Sequence, residues 1–267
     1  MDATQTKQYL AVAVEAAWQA ASAILKVKAK GYDTTFKSDA SPVTEADLAS
    51  NAVIEKHLSP IGLPLLSEEG ELPEFDVRKH WKSYWSIDPL DGTKEFTRGS
   101  DEYTVNIALV VDRKPAGGVI VLPERGKGYW GGPEIGLFES AAPVKAENAY
   151  EVYHKLKPVD SPRSFTAVVS RAHLNTKTRF YLDQLQEKHG QITVRRAGSS
   201  TKFIDIAKGK ADLYPRFSPC MEWDTAAGHA LLRATGQEII SLETQKPLLY
   251  NRESLYNPPF IAGKTQR

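Results

Sequence analysis

The residues most able to do chemistry are acidic. Asp88-Pro89-Leu90-Asp91-Gly92-Thr93 sets two carboxylates three residues apart after the apolar run Tyr84 to Ile87. Proline lacks an N–H and fixes its own φ, while glycine lets the chain turn sharply. Such a loop can aim Asp88, Asp91 and the Leu90 carbonyl at one point. Oxygen-only ligands suit Mg²⁺ or Mn²⁺ and not zinc. The same string also fits an Asx-type turn with two solvated aspartates. Glu68 and Glu69 end an earlier apolar stretch, and Trp223-Asp224 opens a run of small and apolar residues. Singly, these read as a solvated strand end and a helix cap. As a set meeting at a cleft, they would hold two or more divalent cations. A pair of cations about 3.5–4 Å apart binds a phosphate, ionises a water and stabilises a leaving oxygen, so the chemistry indicated is phosphoryl transfer.

Phosphate donors are available too. Gly92-Thr93 can present backbone N–H groups where a short helix starts, and Gly198-Ser199-Ser200 precedes a second predicted helix. The alternative for Gly198-Ser199-Ser200 is a plain helix cap.

The elements that must position these groups follow from periodicity. Leu10, Val14, Ala17, Ala21, Ile24 and Leu25 share one face of an N-terminal helix. Glu15 and Gln19 argue against reading that helix as a membrane span. A second helix spans about Glu45 to Leu58, with Thr44 as N-cap and Asp47 in the capping-box position. Strands are predicted at Leu63 to Leu66 and Tyr84 to Ile87, with residues 71–83 a polar excursion. Tyr103 to Asp112 and Gly117 to Leu122 form a hairpin around Arg113-Lys114-Pro115. Glycine-rich strand and turn fill Gly126 to Gly136. Residues 141–163 read as a connection between domains. Beyond it, strands (165–170, 191–195, 211–215, 238–241) alternate with helices (175–188, 199–208, 224–234), and a polar tail closes the chain. The fold class is α/β: a metal-binding α+β domain over residues 1–150, and an α/β domain over 151–267 completing the metal and substrate site.

The 267 residues carry a net charge of +1, which argues against a nucleic-acid-binding stripe. One cysteine, Cys220, allows no internal disulfide, which points to a reducing, cytoplasmic setting. A peripheral seat on the cytoplasmic face of the inner membrane is left open. His229 reads as a packed histidine inside a helix, and His173 as a solvated loop residue after Ser170-Arg171.

Asp88-Pro89-Leu90-Asp91-Gly92-Thr93 with Trp223-Asp224-Thr225-Ala226-Ala227-Gly228 resembles the paired signatures of the inositol monophosphatase superfamily, the lithium-sensitive, magnesium-dependent phosphatases. The likeness is closer to its 3′(2′),5′-bisphosphate nucleotidase branch. Ser41 to Asp47, Asp88 to Phe96, Tyr103 to Leu109 and Ala211 to Phe217 all look like that branch, and the similarity runs to about Ile261. Ser218 departs from it, standing where glycine is common.

The resemblance implies a five-layer αβαβα sandwich. It implies Glu68, Asp88, Asp91, Asp224 and the Leu90 carbonyl as metal ligands for two or three Mg²⁺, with Mn²⁺ as a substitute. Asp47 and Thr93 would orient and deprotonate the attacking water. Leu90 to Thr93, Glu68 and Asp224 would also contact substrate. The implied reaction removes the 3′-phosphate of 3′-phosphoadenosine 5′-phosphate (PAP), with 3′-phosphoadenosine 5′-phosphosulfate (PAPS) a second substrate and sulfur assimilation the context. Gly198, Ser199, Ser200 and Lys202 are expected to bind the second phosphate; the bland reading of Lys202 is a solvated helical lysine. Li⁺ is expected to inhibit, as is Ca²⁺, whose longer, looser coordination fits an octahedral site poorly. The rivals are an inositol or sugar phosphatase with the same metal core, and a non-catalytic metal-binding scaffold.

Overall fold

The computed structural model of the chain describes residues 1–36, 42–151, 155–156, 163–171 and 175–264. Helix α1 (Ala3–Lys30) is capped by Asp2, whose carboxylate accepts the Gln5 N–H, and it ends at Gly31 with φ 81°. Leu10, Val14, Ala17, Ala21 and Ile24 are buried, but Leu25 is left exposed at the edge of the apolar stripe. By length and hydropathy α1 could cross a membrane, yet its apolar face is packed in the core. Strands β1 (Thr34–Phe36) and β2 (Pro42–Thr44) lead into α2 (Glu45–Leu58), which opens on the expected Thr44–Asp47 capping box. Strand β3 (Leu65–Ser67) follows. The excursion after it contains one turn of helix, α3 (Phe75–Arg78), which the sequence did not reveal. It is held from a distance: the Arg78 guanidinium donates to Asn251 Oδ1 and to the carbonyls of Arg252 and Glu253.

Strand β4 (Ser83–Asp91) runs on through Asp88-Pro89-Leu90-Asp91, with a register shift against its neighbour between Asp88 and Asp91. Helix α4 (Thr93–Thr97) leaves it through Gly92. The hairpin of β5 (Thr104–Val111) and β6 (Lys114–Leu122) turns at Asp112-Arg113, both at positive φ (45° and 64°), so Lys114 and Pro115 belong to the strand and not to the turn. Strands β7 (Lys127–Gly132), β8 (Gly136–Ser140) and β9 (Lys155–Leu156) complete a sheet ordered β3 to β9, antiparallel except for β3 against β4.

The remaining elements are β10 (Thr166–Ser170), α5 (Thr176–His189), β11 (Thr193–Ala197), α6 (Thr201–Ala207), β12 (Leu213–Arg216), α7 (Trp223–Arg233), β13 (Glu238–Ser241) and β14 (Phe260–Gly263). The last corrects the expected polar tail: Phe260-Ile261-Ala262-Gly263 is an inner strand, antiparallel between β12 and β13.

Three apolar clusters define the layers. One joins α1 and α2 to the large sheet, one places α6 and α7 between the two sheets, and one sets α5 on the outer face of the smaller sheet. The result is the five-layer αβαβα order. The central layer is tight. A Cβ on Gly118 would stand 2.5 Å from the Ala227 carbonyl oxygen, and one on Gly228 would stand 2.3 Å from the Phe203 ring. Helix α7, from the second half of the chain, therefore lies directly on the first-half sheet.

Candidate active site

Two neighbouring strands and one helix deliver the carboxylates. The Glu68 N–H donates to the Ile87 carbonyl, which extends the β3–β4 pairing and sets Glu68 beside Asp88. Asp224 enters from the first turn of α7. One oxygen from each of Glu68, Asp88 and Asp224 lies within 4.8 Å of the others. Each side chain is steadied by an N–H donor: Trp223 Nε1 to Glu68 Oε2 at 3.0 Å, Leu90 N to Asp88 Oδ1 at 3.2 Å, and Met221 N to Asp224 Oδ2 at 2.9 Å. Asp91 lies outside that 4.8 Å cluster, and its charge acts on both Asp88 and Asp224. Its Oδ2 accepts from Ser199 Oγ at 2.6 Å, Ser200 Oγ at 3.0 Å and Asn106 Nδ2 at 3.3 Å.

Burial, then the charges of Glu68, Asp91 and Asp224, drives Asp88 far above the usual carboxylate range. Burial and the Asp91 charge push Asp224 up to about 7. Buried like charges this close are unfavourable without a counter-cation, so the donor set fits a cation. Its chemistry is oxygen only. Cys220 lines the same cavity, but burial pushes its thiol up to about 11, so it stays protonated. Such a set suits a hard ion such as Mg²⁺.

Asp47 uses its two oxygens for two purposes. Oδ2 accepts from the Thr44 N–H at 2.8 Å and the Thr44 hydroxyl at 2.7 Å, closing the capping box. Oδ1 accepts from Thr93 Oγ1 at 3.0 Å. Burial raises the Asp47 carboxyl, and the hydrogen bonds from Thr44 and Thr93 oppose that rise. Thr93 is the first residue of α4, and Gly92, at φ 95°, makes the turn into it. The first N–H groups of a helix have no intrahelical partner, and Gly92 and Thr93 both line the cavity.

That cavity, about 230 Å³, is lined by groups of both signs. Lys202 and Arg216 line it together with the carboxylates, Lys202 within the influence of the Asp91 charge and Arg216 within that of Asp224. Lys202 is only 2% exposed, which excludes the solvated reading. It donates to the carbonyls of Ala197 and Ser199, lies 5.3 Å from the Tyr214 ring, and is pushed down to about 8 by desolvation. Arg216 was not singled out from the sequence. Burial works against its charge, but Tyr214, Cys220 and Asp224 hold it above the usual arginine value. Its signal in the sequence was a cation ending an apolar strand, in Ala211 to Phe217.

The Gly198 turn differs from expectation. Its N–H donates to Glu102 Oε2 at 2.9 Å and is not free for an anion. Ser200 is buried with its hydroxyl on Asp91, and α6 starts at Thr201 and not at Ser199. Ser199 and Gly198 do line the cavity. His229 is packed away from it, between Tyr250 Oη at 3.0 Å and Glu238 Oε2 at 2.8 Å. His173 and Ser41 fall outside the described residues. Ser218 Oγ accepts from Asn175, the N-cap of α5.

A model of the inositol monophosphatase family matches residues 5–266. The 3′(2′),5′-bisphosphate nucleotidase CysQ of Escherichia coli (strain K12) is 42% identical over 234 residues, covering 86% of this chain and 89% of that protein. The crystal structure of CysQ from Bacteroides thetaiotaomicron, a bacterial member of the same family, superposes with a TM-score of 0.86 at 38% identity, covering 96% and 97% of the two chains. An IMPase/NADP phosphatase solved with Mg²⁺ and phosphate shares the fold at a TM-score of 0.70 and 19% identity, over 92% of this chain and 87% of that one. With the fold, the paired motifs and near-complete coverage in agreement, the chain belongs to the inositol monophosphatase family.

Proposed function

We propose that this chain is a Mg²⁺-dependent 3′(2′),5′-bisphosphate nucleotidase that converts PAP to AMP and phosphate, acts on PAPS as well, and serves sulfur assimilation by clearing an inhibitory by-product. The observation that supports this most is that the cavity lined by the carboxylates is lined also by two cations, the buried Lys202 and the half-buried Arg216. A bisphosphate brings a second anion for those cations; a monophosphate does not. The similarity to CysQ proteins points the same way.

In this reading Glu68, Asp88, Asp91, Asp224 and the Leu90 carbonyl hold the metal ions. Bound Mg²⁺ supplies charge neutralisation, polarisation of the scissile phosphate and a more acidic water. The chain's own groups do the rest. N–H groups at Gly92 and Thr93 receive the 3′-phosphate. Thr93 Oγ1 accepts a hydrogen bond from the attacking water and donates its own proton to Asp47 Oδ1, so a proton lost by water has a path to a buried carboxylate. The water oxygen bonds to phosphorus in line with the ribose oxygen, whose bond breaks and which takes a proton from solvent. Lys202 and Arg216 bind the 5′-phosphate, and Ser199 lines the same cavity. Mn²⁺ suits the same donors; Li⁺ and Ca²⁺ occupy them unproductively. The buried single thiol of Cys220 fits a cytoplasmic enzyme.

Phosphate release from PAP, PAPS, inositol 1-phosphate and fructose 1,6-bisphosphate at saturating Mg²⁺ tests the reading. PAP should show the highest kcat/KM. A preference for inositol phosphate assigns the chain to the sugar phosphatases, and no release from any substrate leaves a scaffold.

A further inference from the structure

Glu95, in α4, lines the catalytic cavity together with Gly92 and Thr93, yet it lies outside the cluster formed by Glu68, Asp88 and Asp224. Its Oε2 stands 3.3 Å from the point that a Cβ on Gly92 would occupy, and the Ser199 Cβ stands 3.5 Å from the same point. Glu95 Oε2 and Ser199 therefore share one side of the Gly92 turn. The Ser199 carbonyl in turn accepts from Lys202 Nζ. Partial burial raises the Glu95 carboxyl, its own N–H opposes the rise, and the charges of Asp91 and Lys202 act on it with opposite sign. Among the described residues Glu95 forms no ion pair and accepts no hydrogen bond from another side chain.

An ionised carboxylate accepts hydrogen bonds and donates none. Beside a ligand that carries two phosphates it repels both of them, so it is favourable there only with a donor or a cation opposite it. On the nucleotidase reading, the 3′-phosphate lies at Gly92 and the 5′-phosphate at Lys202 and Arg216, and the ribose joins them. The 3′ and 5′ oxygens of that ribose are esterified. Its one remaining hydroxyl, on the 2′ carbon, is the donor, and it is vicinal to the ester that is cut. We propose that Glu95 is a specificity-determining residue that accepts a hydrogen bond from the ribose hydroxyl vicinal to the scissile phosphate. This role rests on the nucleotidase reading and deepens it: the chain selects a ribonucleotide over a deoxyribonucleotide bearing the same two phosphates.

Steady-state phosphate release from PAP and from 3′-phospho-2′-deoxyadenosine 5′-phosphate, at saturating Mg²⁺, tests the role in wild type, Glu95→Gln and Glu95→Ala. The deoxy compound keeps both phosphates and the base and lacks only the hydroxyl. Wild type should favour PAP by about tenfold or more in kcat/KM, as expected for a hydrogen bond to a charged group. That ratio should fall to about threefold in Glu95→Gln, whose amide carbonyl still accepts without a charge, and to near parity in Glu95→Ala. Glu95→Gln preserves the size of the side chain and keeps the ratio measurable if circular dichroism shows Glu95→Ala unfolded. A wild type that turns over PAP without discriminating against the deoxy compound, or an unchanged ratio in the variants, overturns the role of Glu95 and leaves the nucleotidase reading standing. Equal losses on both substrates with a raised Mg²⁺ requirement make Glu95 a metal-holding group, which overturns the role as well. A wild type that prefers inositol 1-phosphate to both nucleotides removes the nucleotidase reading, and the role of Glu95 falls with it.

Discussion

Asp224→Asn removes one charge from the carboxylate cluster and keeps its shape. Oxygens of Glu68, Asp88 and Asp224 lie within 4.8 Å of one another, and two full charges at that distance repel by about 3.5 kcal/mol at an effective dielectric near 20. Asp88, driven toward its protonated form, adds little; the charges that raise Asp224 are Asp91 first and then Glu68, and Arg216 opposes them. Side-chain relaxation and penetrating water reduce the repulsion to about 1–3 kcal/mol. The Met221 N–H keeps an acceptor in the asparagine carbonyl. In EDTA the variant should therefore melt higher than wild type, by about 2–12 °C at 2–4 °C per kcal/mol. Mg²⁺ should reverse the order. A ligand at about 100 times its Kd stabilises the folded state by about 2.7 kcal/mol, and the variant, short of a ligand charge, gains far less. Differential scanning calorimetry in EDTA and in excess Mg²⁺, with turnover on the same samples, reads both effects. A variant that melts lower than wild type in EDTA, or that keeps wild-type Mg²⁺ stabilisation and turnover, refutes the reasoning.

Thr93→Ala should lower kcat by about 100-fold or more, with KM moved far less, because the hydroxyl faces the nucleophile and the ligands stay whole; a change confined to KM makes Thr93 a substrate contact. Lys202→Ala and Arg216→Ala should each raise KM for PAP, at about 1.5–3 kcal/mol per charge-assisted contact, and leave kcat/KM for inositol 1-phosphate nearly unchanged. Equal losses on both substrates in steady-state assays would place these cations outside a second phosphate subsite. Phosphate release should fall in millimolar Li⁺, on the order of physiological salt or below, and in Ca²⁺ competing with Mg²⁺; full activity in both counts against the metal arrangement. His229 is held below its usual 6.5 by burial, which the Glu238 carboxylate opposes and the Arg233 charge reinforces. The unfolded chain therefore takes up a proton that the folded one refuses, so stability is full above about pH 6.5 and falls below it. Urea midpoints between about pH 7 and pH 5 should fall less for His229→Gln than for wild type, and parallel slopes would show that His229 carries none of the loss.

What the sequence made legible was local. The Thr44–Asp47 capping box, the α7 start at Trp223-Asp224 and the strand end before Glu68 follow from residue order, and each lies where order put it, while β4 runs past the expected end at Ile87 to Asp91. What stayed hidden depends on partners far along the chain. Phe260 to Gly263 is a short apolar run, and only its place between β12 and β13 makes it a strand. One turn of helix at Phe75–Arg78 exists because Arg78 reaches residues 251–253. The free N–H expected at Gly198 is taken by Glu102, 96 residues away. Lys202 and Arg216 are ordinary surface residue types by composition. The burial of Lys202 and its meeting with Arg216 at one cavity are properties of the packed layers, and no window of the sequence contains them.

The division of labour inside the cavity has a physical reason in those layers. Glu68 and Asp88 come from adjacent strands of the large sheet, so their separation is set by strand spacing. Asp224 comes from α7, and its height above them depends on how deeply that helix sits. Gly118 and Gly228 remove the side chains that would lift it, letting α7 rest on β6 and against Phe203 of α6. Asp91 is treated otherwise. It lies beyond the bulge that follows Asp88, and hydroxyls of Ser199 and Ser200 hold one of its oxygens. The turn that steadies Asp91 is also the one that supplies Lys202 to the cavity. Ser199 and Lys202 lie within four residues of backbone, so a shift of α6 against the large sheet would loosen the hold on Asp91 and displace Lys202 in one movement.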